Sequence, residues 1–124
     1  MRLLLDTHVL VWWRDDSPHL SERAKAEITD SINEILVSTA TLWEIVIKRA
    51  LGKLIFPEDL EDVLREESFG LIPISFQHLR RLELLPKLHR DPFDRMLIAQ
   101  ALTEGAPLVT NDNALLAYGV PTLW

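Results

Sequence analysis

Leu3-Leu4-Leu5-Asp6-Thr7-His8 is an apolar run that stops on an acid. Three consecutive leucines without polar alternation suit a strand covered on both faces, since a half-exposed strand alternates. A carboxylate directly after such a run stands beside core, where charge is costly unless a cation or strong hydrogen bonds compensate it. Working outward, Ile35 to Val37, Leu71 to Ile74 and Leu108 to Val109 repeat the short apolar run, and Val120 to Leu123 adds a last edge strand.

Helical signals fill the intervals. Ser21 caps a helix through about Ser31, Ser38 or Thr39 caps one through about Leu51 with Gly52 following, and Pro57 opens one that runs towards Ser68. Ser75 caps another. Asp91 as cap with Pro92 in the first helical position starts the last long helix, which stops near Gly105, and a short helix spans about Ala114 to Tyr118. Strands alternating with helices imply a three-layer α/β/α fold with a mainly parallel sheet and right-handed crossovers. With 124 residues, no repeat and no linker-like stretch, one domain over 1–124 is expected.

In a parallel sheet the ligand crevice lies beyond the carboxyl ends of the strands. Asp6 ends the first strand and Asp112 follows the Leu108 to Thr110 strand, so both fall at that edge. Glu44 and Asp94 are expected from the first turns of the helices that follow it. Glu44 shares a helical face with Ala40, Ile47 and Leu51, with Lys48 on its flank, and Asp94 aligns with Leu97, Ile98 and Ala101. Both acids therefore point inward.

Each acid also has a local explanation. Asp6 can cap the helix from Thr7, Glu44 can pair with Lys48 at i,i+4, Asp94 can complement a helix dipole beside the Asp91 cap, and Asp112 can cap the short helix after it. Caps, however, do not require convergence at one edge of one sheet. A metal centre for phosphodiester hydrolysis does, because carboxylates must hold an ion that acidifies water and stabilises developing charge.

The composition narrows the ion. There is no cysteine, so any metal is held by oxygen or imidazole, which points to Mg²⁺ or Mn²⁺. The formal charge of −6 argues at face value against a polyanionic partner, but setting the four acids aside leaves −2. The apolar stretch before Asp6 is too short for a signal peptide and no run reaches membrane-spanning length, so a soluble cytoplasmic protein with no membrane partner is the default expectation.

Two other phosphotransfer patterns fit poorly. A haloacid-dehalogenase-like phosphatase would place a second Asp two residues after Asp6, where this chain has His8; a phosphoacceptor receiver domain would pair acids at the end of its first strand, where Leu5 stands. The remaining rival is a non-catalytic module of the same fold that only binds a partner.

Asp6-Thr7-His8-Val9-Leu10, Ser38 to Lys48, His89-Arg90-Asp91-Pro92-Phe93-Asp94-Arg95-Met96 and Leu108-Val109-Thr110-Asn111-Asp112, in that order, resemble the PIN-domain toxins of VapC type over nearly the whole chain. The Asp-Pro-Phe-Asp-Arg block is the most specific piece. The resemblance implies a PIN-like fold, a Mg²⁺- or Mn²⁺-dependent endoribonuclease acting on an RNA substrate, a cognate small antitoxin as inhibitor in a type II toxin–antitoxin pair, and a homodimer. It implies Asp6, Glu44, Asp94 and Asp112 as catalytic metal-binding acids, with Asp91 as the alternative fourth acid and Thr7 and Thr110 orienting the acids. Arg95 is the candidate for touching phosphate or pairing with an acid. His8 and His89 are read as surface or core residues rather than ligands. Of the four tryptophans, Trp12 and Trp13 are adjacent and cannot both point into one core direction. Core packing is expected for most, the remainder lining an exposed groove for an antitoxin helix or a dimer partner.

Overall fold

The computed structural model describes residues 1–124. Its strands are β1 (Arg2–Leu5), β2 (Glu34–Ser38), β3 (Gly70–Ile72), β4 (Leu108–Val109) and β5 (Thr122–Leu123). Its helices are α1 (Thr7–Arg14), α2 (Glu22–Thr29), α3 (Thr39–Ala50), α4 (Leu60–Glu67), α5 (Phe76–Leu84), α6 (Pro92–Glu104) and α7 (Asn113–Leu116). The strands form one sheet in the order β3-β2-β1-β4-β5, and every pairing is parallel. The first strand in the chain is thus central.

The pleat divides the core. Leu3 and Leu5 pack with Ile35, Val37 and Val109 against Val9, Leu10, Ala24 and Ile28 of α1 and α2. Leu4 points the other way, with Leu36 and Leu108, onto Leu97, Ile98 and Ala101 of α6. All three leucines of β1 are fully buried, which is why the run shows no alternation.

The helix boundaries follow local chemistry. The side chains of Ser21, Ser38, Ser75 and Asp91 accept hydrogen bonds from the first-turn amides of α2, α3, α5 and α6, and α6 ends at Gly105 in the left-handed conformation, φ +63°. Three expectations need correction. The helix assigned to begin at Pro57 starts at Leu60, because Asp59 caps it through the Asp62 amide. β3 begins at Gly70 and ends at Ile72, two residues short of Ile74. The last strand covers only Thr122 and Leu123.

Candidate active site at the carboxyl edge of the sheet

Asp6 occupies the N-cap position of α1 but does not cap it with its side chain. Instead Oδ2 accepts a 2.8 Å bond from Thr110 Oγ1, and Oδ1 is buried with no partner. Only 3% of the residue is exposed. Burial pushes the Asp6 carboxyl above its ordinary value of 3.8 against the lowering pulls of Thr110 and His8, and the like charges of Asp112 and Glu44 push it further. The local explanation of this acid as a cap fails on geometry.

Glu44 is equally buried, in the second turn of α3 rather than the first. Its Oε2 lies 2.7 Å from Lys48 Nζ and its Oε1 has no partner. The inward face of α3 is not the one expected through Ile47 and Leu51: Leu51 is 62% exposed, and the helix buries Ala40, Thr41, Glu44 and Ile45. Lys48 is held more firmly protonated chiefly by its bond to Glu44, and it also feels Asp91 and Asp94. The local pairing of Glu44 with Lys48 is therefore real, but it is built into the acid cluster.

Asp94 sits in the first turn of α6. Burial raises its pKa to about 6, opposed by a hydrogen bond to His89 and reinforced by Asp91, Asp6 and Glu44. His89 Nε2 lies 2.9 Å from Asp94 Oδ2, so His89 is a site residue that sequence reading assigned to ordinary surface or core. No short-range spacing rule singles it out; only its place just before the Asp91 cap hinted at it.

The remaining candidates divide. Asp112 caps α7 by accepting from the Ala114 amide while its own amide donates to Thr110 Oγ1, which ties it to the Asp6 partner. Asp91 spends Oδ1 on the amides of Phe93 and Asp94. Thr110 orients an acid as expected. Thr7 does not: its hydroxyl pairs with Thr41 at 3.0 Å, linking α1 to α3. Arg95 pairs with no acid: it is half-buried, Nη2 donates to the Leu85 carbonyl and Nε is buried without a partner.

Asp6, Glu44 and Asp94 thus come from three separate elements into mutual electrostatic range, with Asp112 beside Asp6 and Asp91 beside Asp94. No three acidic or imidazole groups form a ready cage around one point. What fits a hard divalent cation is the donor chemistry: carboxylates only, no thiol, and two buried carboxylate oxygens without partners.

Trp43 departs from the expectation of core packing. It is 56% exposed and meets Phe93 edge to face at 5.1 Å. The pair borders an apolar groove of about 170 Å³ with Ala40, Ile74, Leu82 and Met96. Separately, no helix is long and apolar enough to cross a membrane.

The PIN domain model matches residues 3–120. Ribonuclease VapC22 of Mycobacterium tuberculosis (strain ATCC 25618 / H37Rv) is 28% identical over 132 residues, covering 98% of this chain and 98% of that protein. Among solved structures, VapBC2 from Rickettsia felis bound to a DNA fragment from its promoter superposes with TM-score 0.73 at 20% identity, over 100% of this chain and 98% of that one. FitAcB from Neisseria gonorrhoeae gives TM-score 0.69 at 19% identity, over 98% and 96%. These structural likenesses establish the fold.

Proposed function

The chain belongs to the PIN-domain family, and from that premise we propose that it is a metal-dependent endoribonuclease, the toxin of a type II toxin–antitoxin pair. The observation that carries this reading is the pair of buried, unpartnered oxygens, Asp6 Oδ1 and Glu44 Oε1, inside a cluster of carboxylates. A stability-driven fold has no use for charge in that position, since each such atom costs about 1–3 kcal/mol. The relative named as a ribonuclease, at near-complete mutual coverage, supports the same reaction class.

Asp6, Glu44 and Asp94 would hold Mg²⁺ or Mn²⁺, with Asp112 completing the set and Asp91 as the alternative fourth acid. Such an ion supplies an acidified water and stabilisation of the negative charge that develops on the phosphate. The chain's own residues do the placing. Thr110 fixes the Asp6 carboxylate by donating to Oδ2, which leaves Oδ1 free. Lys48 and His89 hold the Glu44 and Asp94 carboxylates in one orientation each. The positive charge on Lys48 also lowers the cost of bringing a phosphodiester up to a cluster of acids. Hydrolysis would leave a 3′-hydroxyl and a 5′-phosphate.

We take the cytoplasm as the site of action, a cognate small antitoxin as the inhibitor, and a homodimer as the working assembly. A structural neighbour solved as a toxin–antitoxin complex supports the antitoxin as a partner, and the exposed Trp43–Phe93 groove offers a protein partner an apolar surface. A non-catalytic partner-binding module is the alternative reading. Sequencing of RNA ends after inducing the chain without its antitoxin separates the two. New 5′ ends at a defined site, absent with Asp6→Asn, are expected; identical ends with both proteins would remove Asp6 from the mechanism.

A further inference from the structure

His8, Trp12, His19 and Trp124 form one aromatic array beside the acid cluster. His8 and Trp12 are four residues apart on α1 and so share a face one turn from each other, with ring centroids 5.8 Å apart. His19, from the segment before α2, stacks on Trp12 at 5.4 Å and 19° between planes, and Trp124 meets the same indole edge-on at 6.0 Å. His8 and His19 are exposed and Trp12 is half-buried, so the array is backed by the core and open in front. Its His8 and Trp12 line a groove of about 410 Å³ whose walls also include Asp6, Asn111, Asp112 and Asn113.

This placement is not what packing alone would choose. Trp12 rests against the core, yet its indole meets two exposed imidazoles, His19 stacked and His8 tilted at 39°. Two exposed amide side chains, Asn111 and Asn113, stand across the groove where the edge of a planar ligand would present donors and acceptors. The groove holds Asp6 itself, so a ligand stacked there lies next to the reaction centre.

Resting on the ribonuclease reading, we propose that this array is a base-stacking subsite that grips one unpaired nucleobase of a single-stranded RNA next to the bond being cut. Stacking suits the acidic chain: a π-face attracts a base without requiring a basic surface. It also makes His8 and Trp12 binding residues for substrate rather than parts of the acid cluster.

The test uses full-length protein carrying Asp94→Asn, so that RNA stays intact, and short fluorescein-labelled single-stranded RNA with or without an abasic site scanned along its length. His8→Ala and Trp12→Leu are each expected to weaken binding about tenfold, while His8→Phe, which keeps a flat ring, retains affinity. One abasic position should erase the difference between His8→Ala and its parent. Melting curves check that Trp12→Leu is folded, and exposed His8 carries the test if it is not. Equal affinity of parent and His8→Ala, or losses that no abasic position removes, would overturn the subsite while leaving cleavage by the wild-type protein untouched. Absence of both cleavage and binding by the wild-type protein would instead overturn the ribonuclease reading and the subsite with it.

Discussion

Asp6 and Asp94 are held at a cost to folding, and that cost can be measured. Asp6 is buried with one oxygen unpartnered and two like charges near it, so Asp6→Asn is expected to stabilise the metal-free protein at pH 7.5 by about 1 kcal/mol while abolishing cleavage. Thermal melting in chelator checks this; a lower melting point for the variant would show that the carboxylate contributes to the fold. For Asp94 the sign is set by a pKa raised from 3.8 to about 6. Between those values the unfolded chain has lost the proton that the folded chain keeps. Stability contributed by the protonated group is therefore lost as pH rises through the window, by about 1 kcal/mol once solvent screening at this partly exposed site is allowed for. A cation binds the ionised form, so Mn²⁺ affinity measured by calorimetry should rise by roughly tenfold per unit below pH 6 and level off above it. Flat affinity from pH 5 to 7 would separate Asp94 from the metal.

At the scale of elements, α1 carries two loads at opposite ends. Its N-terminus presents Asp6 and its C-terminus is tied to α4 by Arg14, which bonds Glu58 and reaches Glu67 at 2.7 Å and Glu66 at 3.1 Å. Trp13 adds a 2.7 Å bond from its indole nitrogen to Glu67. These three glutamates keep Arg14 firmly charged, the Glu58 bond most of all. Arg14→Met leaves them facing one another and is expected to speed amide exchange in Leu60–Glu67 about tenfold, with little change in Pro92–Glu104. Uniform acceleration across both helices would show instead that the clamp supports the whole fold. None of this network is visible in the sequence, because its partners lie 44 to 53 residues from Arg14. The central strands and the caps of α2, α3, α5, α6 and α7 were legible because their causes are local, three leucines in a row or a serine or aspartate ahead of the helix; the Asp59 cap of α4, two residues after Pro57, was not. Asp6 and Asp112 were legible through their position after apolar runs, and Glu44 and Asp94 through their places in helices that pack on the sheet. The rotation of α3 that exposes Leu51 and buries Thr41 was not, since Thr41 is turned inward by Thr7 on another helix.

The whole molecule assembles these parts by topology. An all-parallel sheet with β1 at its centre puts the ends of β1, β2 and β4 side by side, and α6 crosses to bring Asp94 to the same edge. Four stretches that span the sequence from Asp6 to Asp112 thereby come to one edge, with the His8–Trp12 aromatic pair on its flank. Spread over the fold, the chain's −6 charge argues against nucleic acid; under the proposed function, the acids gathered at one edge would instead hold a cation. The most direct test is the cleavage rate of a single-stranded RNA by purified, chelator-treated protein as Mn²⁺ is restored. The rate should be negligible without the ion, rise saturably with it, and stay at background for Asp94→Asn at every concentration. Cleavage that is independent of Mn²⁺, or equally fast with Asp94→Asn, would contradict the assignment of these acids to a metal-dependent ribonuclease.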